Sequence, residues 1–286
     1  MTATSVGPAP SAAPEPGRFA AEWRAGVMVW RREMIHFLRN RTGMAVSLLQ
    51  PLLFLYILGI GLSRMFSGPG SSSDYMVFLF PGVLVMAAQA PAISVGASIV
   101  WDRESGFLRE MLVAPVRRST LLVGKCLGGA TVAACQGGVV LASAGLTGIP
   151  YRLGMFAELL AELVLASLAM TVMGAVVAVR TRRVRTFHTV LTVLTAPLVF
   201  LSGLMFPVSA MPAWMAAVTV VNPLTYAVDA MRRSVLSHYD APAGSRLFDP
   251  VRWGGHAVPP LLSVALVAAF CAVVVAAASR AFSRTE

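Results

Sequence analysis

Two carboxylates one helical turn apart, Glu158 and Glu162, stand inside a long apolar run. A third acid, Asp229, has Tyr226 one turn before it and Arg232 and Arg233 after it. Residues four apart share a helix face, so the glutamates form one patch. Ionisable groups in hydrocarbon are costly and mark transport routes, proton relays or buried pairs. Both glutamates lie in the first two turns of their run, near an interface. Glu158 reads as interfacial. Glu162, a turn deeper, reads as lining the outer end of a pathway or as pairing with an arginine of the outer loop, and a structural role is favoured for the pair. Asp229 reads as a solvated helix end with local ion pairs, or as a gate element at the extracellular mouth. The pair Gly124–Lys125 lacks the preceding glycine and following Ser/Thr of a phosphate-binding loop and opens an apolar run instead. His36, His188, His238 and His256 are scattered without metal spacing, and each reads as interfacial or packing. Cys126, Cys135 and Cys271 lie in apolar runs with no CxxC or Cys/His pattern, so neither disulfides nor zinc are expected. No metal, cofactor or self-contained catalyst is expected of this chain.

The elements that hold these residues are membrane spans. Of 286 residues, 57% are hydrophobic and 13% charged, where soluble domains carry about 25% charged. Six windows supply the ~20 mostly apolar residues that a spanning helix needs: about 43–62, 75–100, 121–147, 155–179, 187–207 and 257–279. Residues 1–17, rich in Pro, Ala and Ser, read as a disordered tail without a signal-peptide core. Residues 18–286 then read as one transmembrane domain. In the third window Gly124 and Gly128 make a GxxxG step, extended by Gly129, Ala133 and Gly137. Such faces admit close helix approach, here expected within the chain instead of at a dimer seam.

The net charge of +10 argues orientation, since no basic face or aromatic platform for nucleic acid is evident. With the N-terminus cytoplasmic, the inner segments carry 17 of the 23 basic residues and the outer segments six, which by the positive-inside rule places both termini in the cytoplasm. Lys125 is the single lysine among those 23, and the arginine, alanine and valine bias suggests a high-GC bacterial genome. Before the first span, Phe19, Trp23, Val27, Trp30, Met34 and Phe37 recur at three- or four-residue steps. With Arg24, Arg31, Arg32 and Arg39 largely elsewhere, this predicts an amphipathic helix in the inner interface, or one packed on cytoplasmic protein. After the fifth span, 211–221 is apolar but too short to cross. With the piece after Pro223 it predicts a re-entrant helical hairpin over 208–238, dipping into the outer leaflet, or else two short surface helices.

The inner connection reads WDRESGFLREMLVAPVRRSTLLVGK over 101–125. Asp102, Arg103 and Glu104 open it, Phe107, Leu108, Met111 and Leu112 form an apolar stripe, Pro115 stops the helix, and Arg117 and Arg118 follow. Such a helix can seat in a groove of a partner or lie in the interface. This stretch closely resembles the signature region of type-2 ABC exporter permeases. PLVFLSGLMFPVSAMPAWM at 197–215 and VNPLTYAVDAMRR at 221–233 resemble the same family, in the expected order, over about residues 20–280. Within it the chain is most similar to the daunorubicin-resistance-type subgroup. Ala114, where the family often has Thr, is a mild departure.

The resemblance implies an all-α integral membrane fold of six spans, with the N-terminal interfacial helix and the outer hairpin as family counterparts. It implies a permease of the bacterial cell membrane that works as a dimer, homomeric or heteromeric, with two copies of a separate ABC ATPase. That partner would bind ATP and Mg. The expected coupling region is 101–118, in which Glu104 offers charge or a helix-start acceptor, Gly106 allows close approach, and Phe107, Leu108 and Met111 fill an apolar groove. The cargo would be a lipophilic or amphiphilic compound: a drug or antibiotic, a lipid, or a lipid-linked glycan. The rival reading is a secondary transporter or channel without an ATPase, which would call for ionisable groups near the midplane or broken helices in a repeat.

Overall fold

A computed structural model describes residues 18–63, 71–106, 117–239, 246–253 and 255–284. Six helices are long and apolar enough to cross a membrane: Arg41–Ser63, Asp74–Glu104, Ser119–Ala142, Leu153–Arg180, Val184–Leu204 and Pro260–Arg280. The third ends at Ala142, not at 147 as its apolar run suggests; a short 3-10 turn, Ala144–Thr147, closes onto Gly148 instead. The chain is an all-α multi-pass membrane protein.

The second and fourth spans form the centre of the bundle. In the second, 72% of the most apolar stretch is buried, against 17% in the first span and 22% in the sixth. Two apolar cores are stacked along the bundle. One, around Phe78, Phe80, Leu159, Leu163, Leu204 and Met231, fills the end far from the termini. The other, around Ile99, Leu122, Val172, Phe187 and Ala278, fills the end that carries both termini.

Local chemistry explains the irregularities. The second span breaks at Ala88, between helices Ser71–Ala87 and Gln89–Glu104. Pro91 sits just past the break and has no N–H to return to the preceding turn. The N-terminal helix, Arg18–Arg39, is separated from the first span by Asn40, whose Oδ1 accepts from the Gly43 N–H at 3.0 Å and caps the new helix. This N-terminal helix packs along the third span, where Gly124 and Gly128 make room. A Cβ at Gly124 would lie 2.9 Å from the Gly26 carbonyl oxygen, and one at Gly128 2.9 Å from the Glu33 Cβ. On the adjoining face Gly129 and Gly137 admit Val95 and Leu163. The small-residue face is therefore used inside the chain. Phe19, Trp23 and Val27 point away and stay exposed.

Beyond the fifth span, helices Ala213–Val221 and Pro223–Leu236 form a hairpin about Asn222. The second of them is buried in the bundle along ten of its residues. A two-stranded ribbon pairs Arg252 with Ala257 and Trp253 with His256 before the sixth span begins.

Candidate functional site

The second span ends in three consecutive charged residues, Asp102, Arg103 and Glu104, and each is tied to a different element. Asp102 is 2% exposed. One of its oxygens is 2.5 Å from Nζ of Lys125 on the third span, and the other accepts from Arg32 of the N-terminal helix at 3.2 Å. Lys125 Nζ also donates to Ser98 Oγ at 2.9 Å and lies 3.8 Å from Glu33. Two acids and two bases thus neutralise one another, and Lys125 and Asp102 are shut off from solvent. A buried charge persists only when paired and hydrogen-bonded, so this cluster fixes the N-terminal helix and the second and third spans in one register.

Arg103 and Glu104 hold the connection between the fourth and fifth spans. Arg103 Nη1 donates to the Val179 carbonyl at 2.9 Å, near the end of the fourth span. Glu104 Oε2 accepts from the Val184 N–H at 3.2 Å, at the first residue of the fifth. A carboxylate there satisfies a donor that the helix cannot and meets the positive end of its dipole. Gly106 follows with φ +77, a left-handed conformation that glycine adopts at little cost, and nothing lies within 4 Å of where its Cβ would be. Phe107, Leu108 and Met111 lie outside the described residues. The chain is described again at Arg117, whose Nε is 3.0 Å from Glu22 of the N-terminal helix.

Lys125 is the residue that sequence reasoning missed. Its place at the head of an apolar run looks like a topology marker or a failed phosphate loop. The available signal was its singularity: one lysine among 22 arginines stands where a compact ammonium, not a planar fork, can enter a tight buried cluster.

At the far end a second polar network joins two motifs. Gly203, with φ +78, breaks the last turn of the fifth span at Phe200–Leu204, and the hairpin meets the exposed carbonyls. Asn222 Nδ2 donates to Leu198 O at 2.6 Å, and Arg232 Nη2 to Gly203 O at 2.8 Å. The Arg232 guanidinium lies 4.0 Å from the Phe78 ring centroid, a cation–π contact. Burial lowers the Arg232 pKa to about 10 and the Asp229 charge opposes this, so it remains a cation at neutral pH. Polar side chains thereby replace the missing helix partners that hydrocarbon cannot supply.

The solvated-end reading of Asp229 is corrected by its burial at 3% exposure. It pairs with Arg233 at 2.8 Å, accepts from the Val251 N–H at 3.1 Å and from Ser263 Oγ at 3.4 Å. It therefore clamps the hairpin to the ribbon and to the sixth span. Tyr226 donates to Val220 O at 2.6 Å and accepts from Trp253 Nε1 at 2.9 Å. Burial raises its phenol pKa, which the Trp253 bond opposes and the Asp229 charge reinforces. Glu162 accepts from the Ser234 hydroxyl at 3.0 Å; this hydroxyl takes the place of the arginine partner that the sequence suggested. Glu158, one turn away, is exposed. The glutamates share a helix but not an environment, and Asp102 to Glu104 form a separate site at the opposite end of the bundle.

Residues 25–236 match the ABC-2 type transporter family. This chain belongs to that family. The match runs from within the N-terminal helix to the end of the hairpin, and takes in the Asp102–Lys125 cluster and the contacts of Asn222 and Arg232 with the fifth span. The permease is 28% identical over 224 residues to the transport permease ycf38 of Cyanophora paradoxa, covering 77% of this chain and 76% of the relative. Against nodulation protein J of Rhizobium leguminosarum bv. trifolii the identity is 29% over 226 residues, 76% of this chain and 81% of the relative. Against the inner membrane transport permease YadH of Escherichia coli K12 it is 23% over 221 residues, 77% and 86% respectively. The permease is thus a transmembrane subunit of an ABC transporter.

Proposed function

We propose that this permease is the membrane half of an ATP-driven exporter, moving a lipophilic or amphiphilic compound outward by alternating access. A separate ABC ATPase, in two copies, binds ATP and Mg and seats against residues 101–118. In this reading the end carrying both termini is cytoplasmic, supported by the 17 basic residues placed there. The N-terminal helix lies in the inner interface with Phe19 and Trp23 toward lipid, and the membrane is the bacterial cell membrane. A second permease copy, identical or related, completes the pathway. The sparsely buried first span, with Val46, Leu49, Leu53 and Ile57 exposed, supports a partner helix there.

The observation that carries this reading is the junction at Asp102–Glu104. The segment with the strongest family resemblance begins where one helical turn grips the N-terminal helix, the third span and the connection between the fourth and fifth spans. A displacement applied to 107–116 by a partner is delivered to all three through buried or charge-assisted bonds. Leu108→Asp and Glu104→Arg are expected to lose ATPase co-purification or substrate-stimulated hydrolysis while membrane insertion stays normal: the first leaves an unpaired charge in an apolar groove, and the second replaces the acceptor for the Val184 N–H with a cation at the positive end of a helix dipole. Glu104→Gln keeps an acceptor for Val184 and separates the internal cap from a charge offered to the partner. Full assembly and full transport in Leu108→Asp and Glu104→Arg would remove 101–118 as the coupling surface.

A further inference from the structure

Between the N-terminal helix and the first three spans lies a cleft of about 220 Å³. It sits at the elbow around Asn40 and beside the break in the second span. His36, Asn40 and Ser94 line its exposed rim, and Ser47 and Gln136 its depth. Phe37, Pro91 and Val132 supply apolar walls. The volume is below the ~300–1,000 Å³ of pockets that enclose whole drug-sized ligands, and suits a head group whose tail remains in lipid.

Gln136 is 4% exposed. Its Nε2 donates to Ser47 Oγ at 2.6 Å, while its Oε1 is buried without a hydrogen-bond partner among the described residues. An orphaned buried acceptor costs about 1–3 kcal/mol and is retained where something else supplies the donor. The lining also sets the charge of that donor. Its one carboxylate, Glu33, already faces Lys125 and Ser98, so a cationic head group would compete with Lys125 for it. An anionic one would enter beside that carboxylate. The remaining polar lining is amide, hydroxyl and imidazole, groups that both donate and accept.

We infer that this cleft binds the neutral, hydroxyl-bearing head group of an amphiphile entering sideways from the membrane, with the Gln136 side chain turning to bring its enclosed Oε1 to one of the hydroxyls as acceptor. This deepens the proposed export function by naming a head-group class, and it is tested by binding alone, so a failure of ATP-driven movement leaves it standing or falling separately.

The experiment uses the full chain in phosphatidylcholine nanodiscs and a diazirine-bearing alkyl glucoside as photoprobe. Alkyl phosphate and alkyl trimethylammonium probes of the same chain length are the controls. The expected result is saturable labelling of the 36–47 peptide by the glucoside alone. Affinity should fall roughly tenfold in Gln136→Leu, the loss of one hydrogen bond to a buried acceptor, and labelling should disappear in Ser94→Trp, which fills the rim. Ser94 is exposed, so that variant keeps the test valid if Gln136→Leu folds poorly. Labelling that is equal for all three head groups, or unchanged in both variants, overturns the inference. Repeating the labelling on the permease–ATPase complex with ATP distinguishes sources: release of the glucoside marks cargo, and retention marks a resident membrane lipid, either of which requires the site.

Discussion

Replacing Lys125 by methionine removes the central cation of the junction while keeping side-chain length. The Lys125–Asp102 contact is 2.5 Å, with side chains 6% and 3% exposed. At an effective dielectric near 20, a separation of ~3 Å corresponds to roughly 5 kcal/mol of attraction, against which stands a desolvation cost of several kcal/mol per ion. The pair is therefore worth little against an apolar isostere. Its half is another matter: a buried charge left alone costs about 3–5 kcal/mol. Arg32 stays 3.2 Å from Asp102, but its side chain is 45% exposed, so the pair it leaves is screened and recovers only about 1 kcal/mol. Lys125→Met should lose about 2–4 kcal/mol. Asp102→Asn should lose less, about 1–2 kcal/mol, since Lys125 retains Ser98 and Glu33. The double variant should be more stable than Lys125→Met alone. The assay is reversible unfolding in mixed micelles, followed by tryptophan fluorescence. Losses below ~0.5 kcal/mol for both single variants, or losses that simply add, would mean the ions do not interact as described.

Arg232→Met should destabilise by about 2 kcal/mol and loosen the hairpin, read as faster proteolysis after the fifth span; Arg232→Lys should recover part of this, since an ammonium reaches one carbonyl but not the stacking geometry. Glu162→Ala should impair export more than Glu158→Ala at equal protein levels, because only Glu162 is held by Ser234; equal wild-type export in both and in the double variant would confine the pair to structure. In a background lacking Cys126, Cys135 and Cys271, a cysteine at Leu146 should react with an impermeant thiol reagent from outside cells and one at Ser105 should not. Labelling of Ser105 would reverse or abolish the proposed orientation.

The six spans were legible because each is a continuous apolar run of bilayer length, and the GxxxG step of Gly124 and Gly128 was legible because small residues at four-residue spacing have few other uses in a span. The polar networks were not. Asp102 finds Arg32 at a separation of 70 residues and Lys125 at 23, while Arg232 reaches Phe78 across 154 and Gly203 across 29. Periodicity reports which face of a helix is apolar, but not which distant element covers that face. Asp229 looked solvated because it is followed by two arginines, as exposed helix ends often are; only the packing of the ribbon and sixth span over it reverses that reading. Gln136 gave no signal at all, since a single amide in a glycine-rich span resembles any other polar interruption.

The docking of the N-terminal helix against Gly124 and Gly128 sets an order on how the polypeptide is made. Trp30 bonds to Thr131, 101 positions later, so before the third span is synthesised the N-terminal helix has only its polar contacts to the second span, from Arg32 to Asp102 and from Ser98 to Glu33, to rest against. For that interval its exposed Phe19 and Trp23 leave the membrane surface as its natural parking place. Asp102 and Lys125, at the inner ends of their spans, impose a matching constraint: until the third span is made, Asp102 has the half-exposed Arg32 but not the buried ammonium of Lys125. A chain cut between residues 106 and 125 would therefore present a second span whose Asp102 lacks its closest partner.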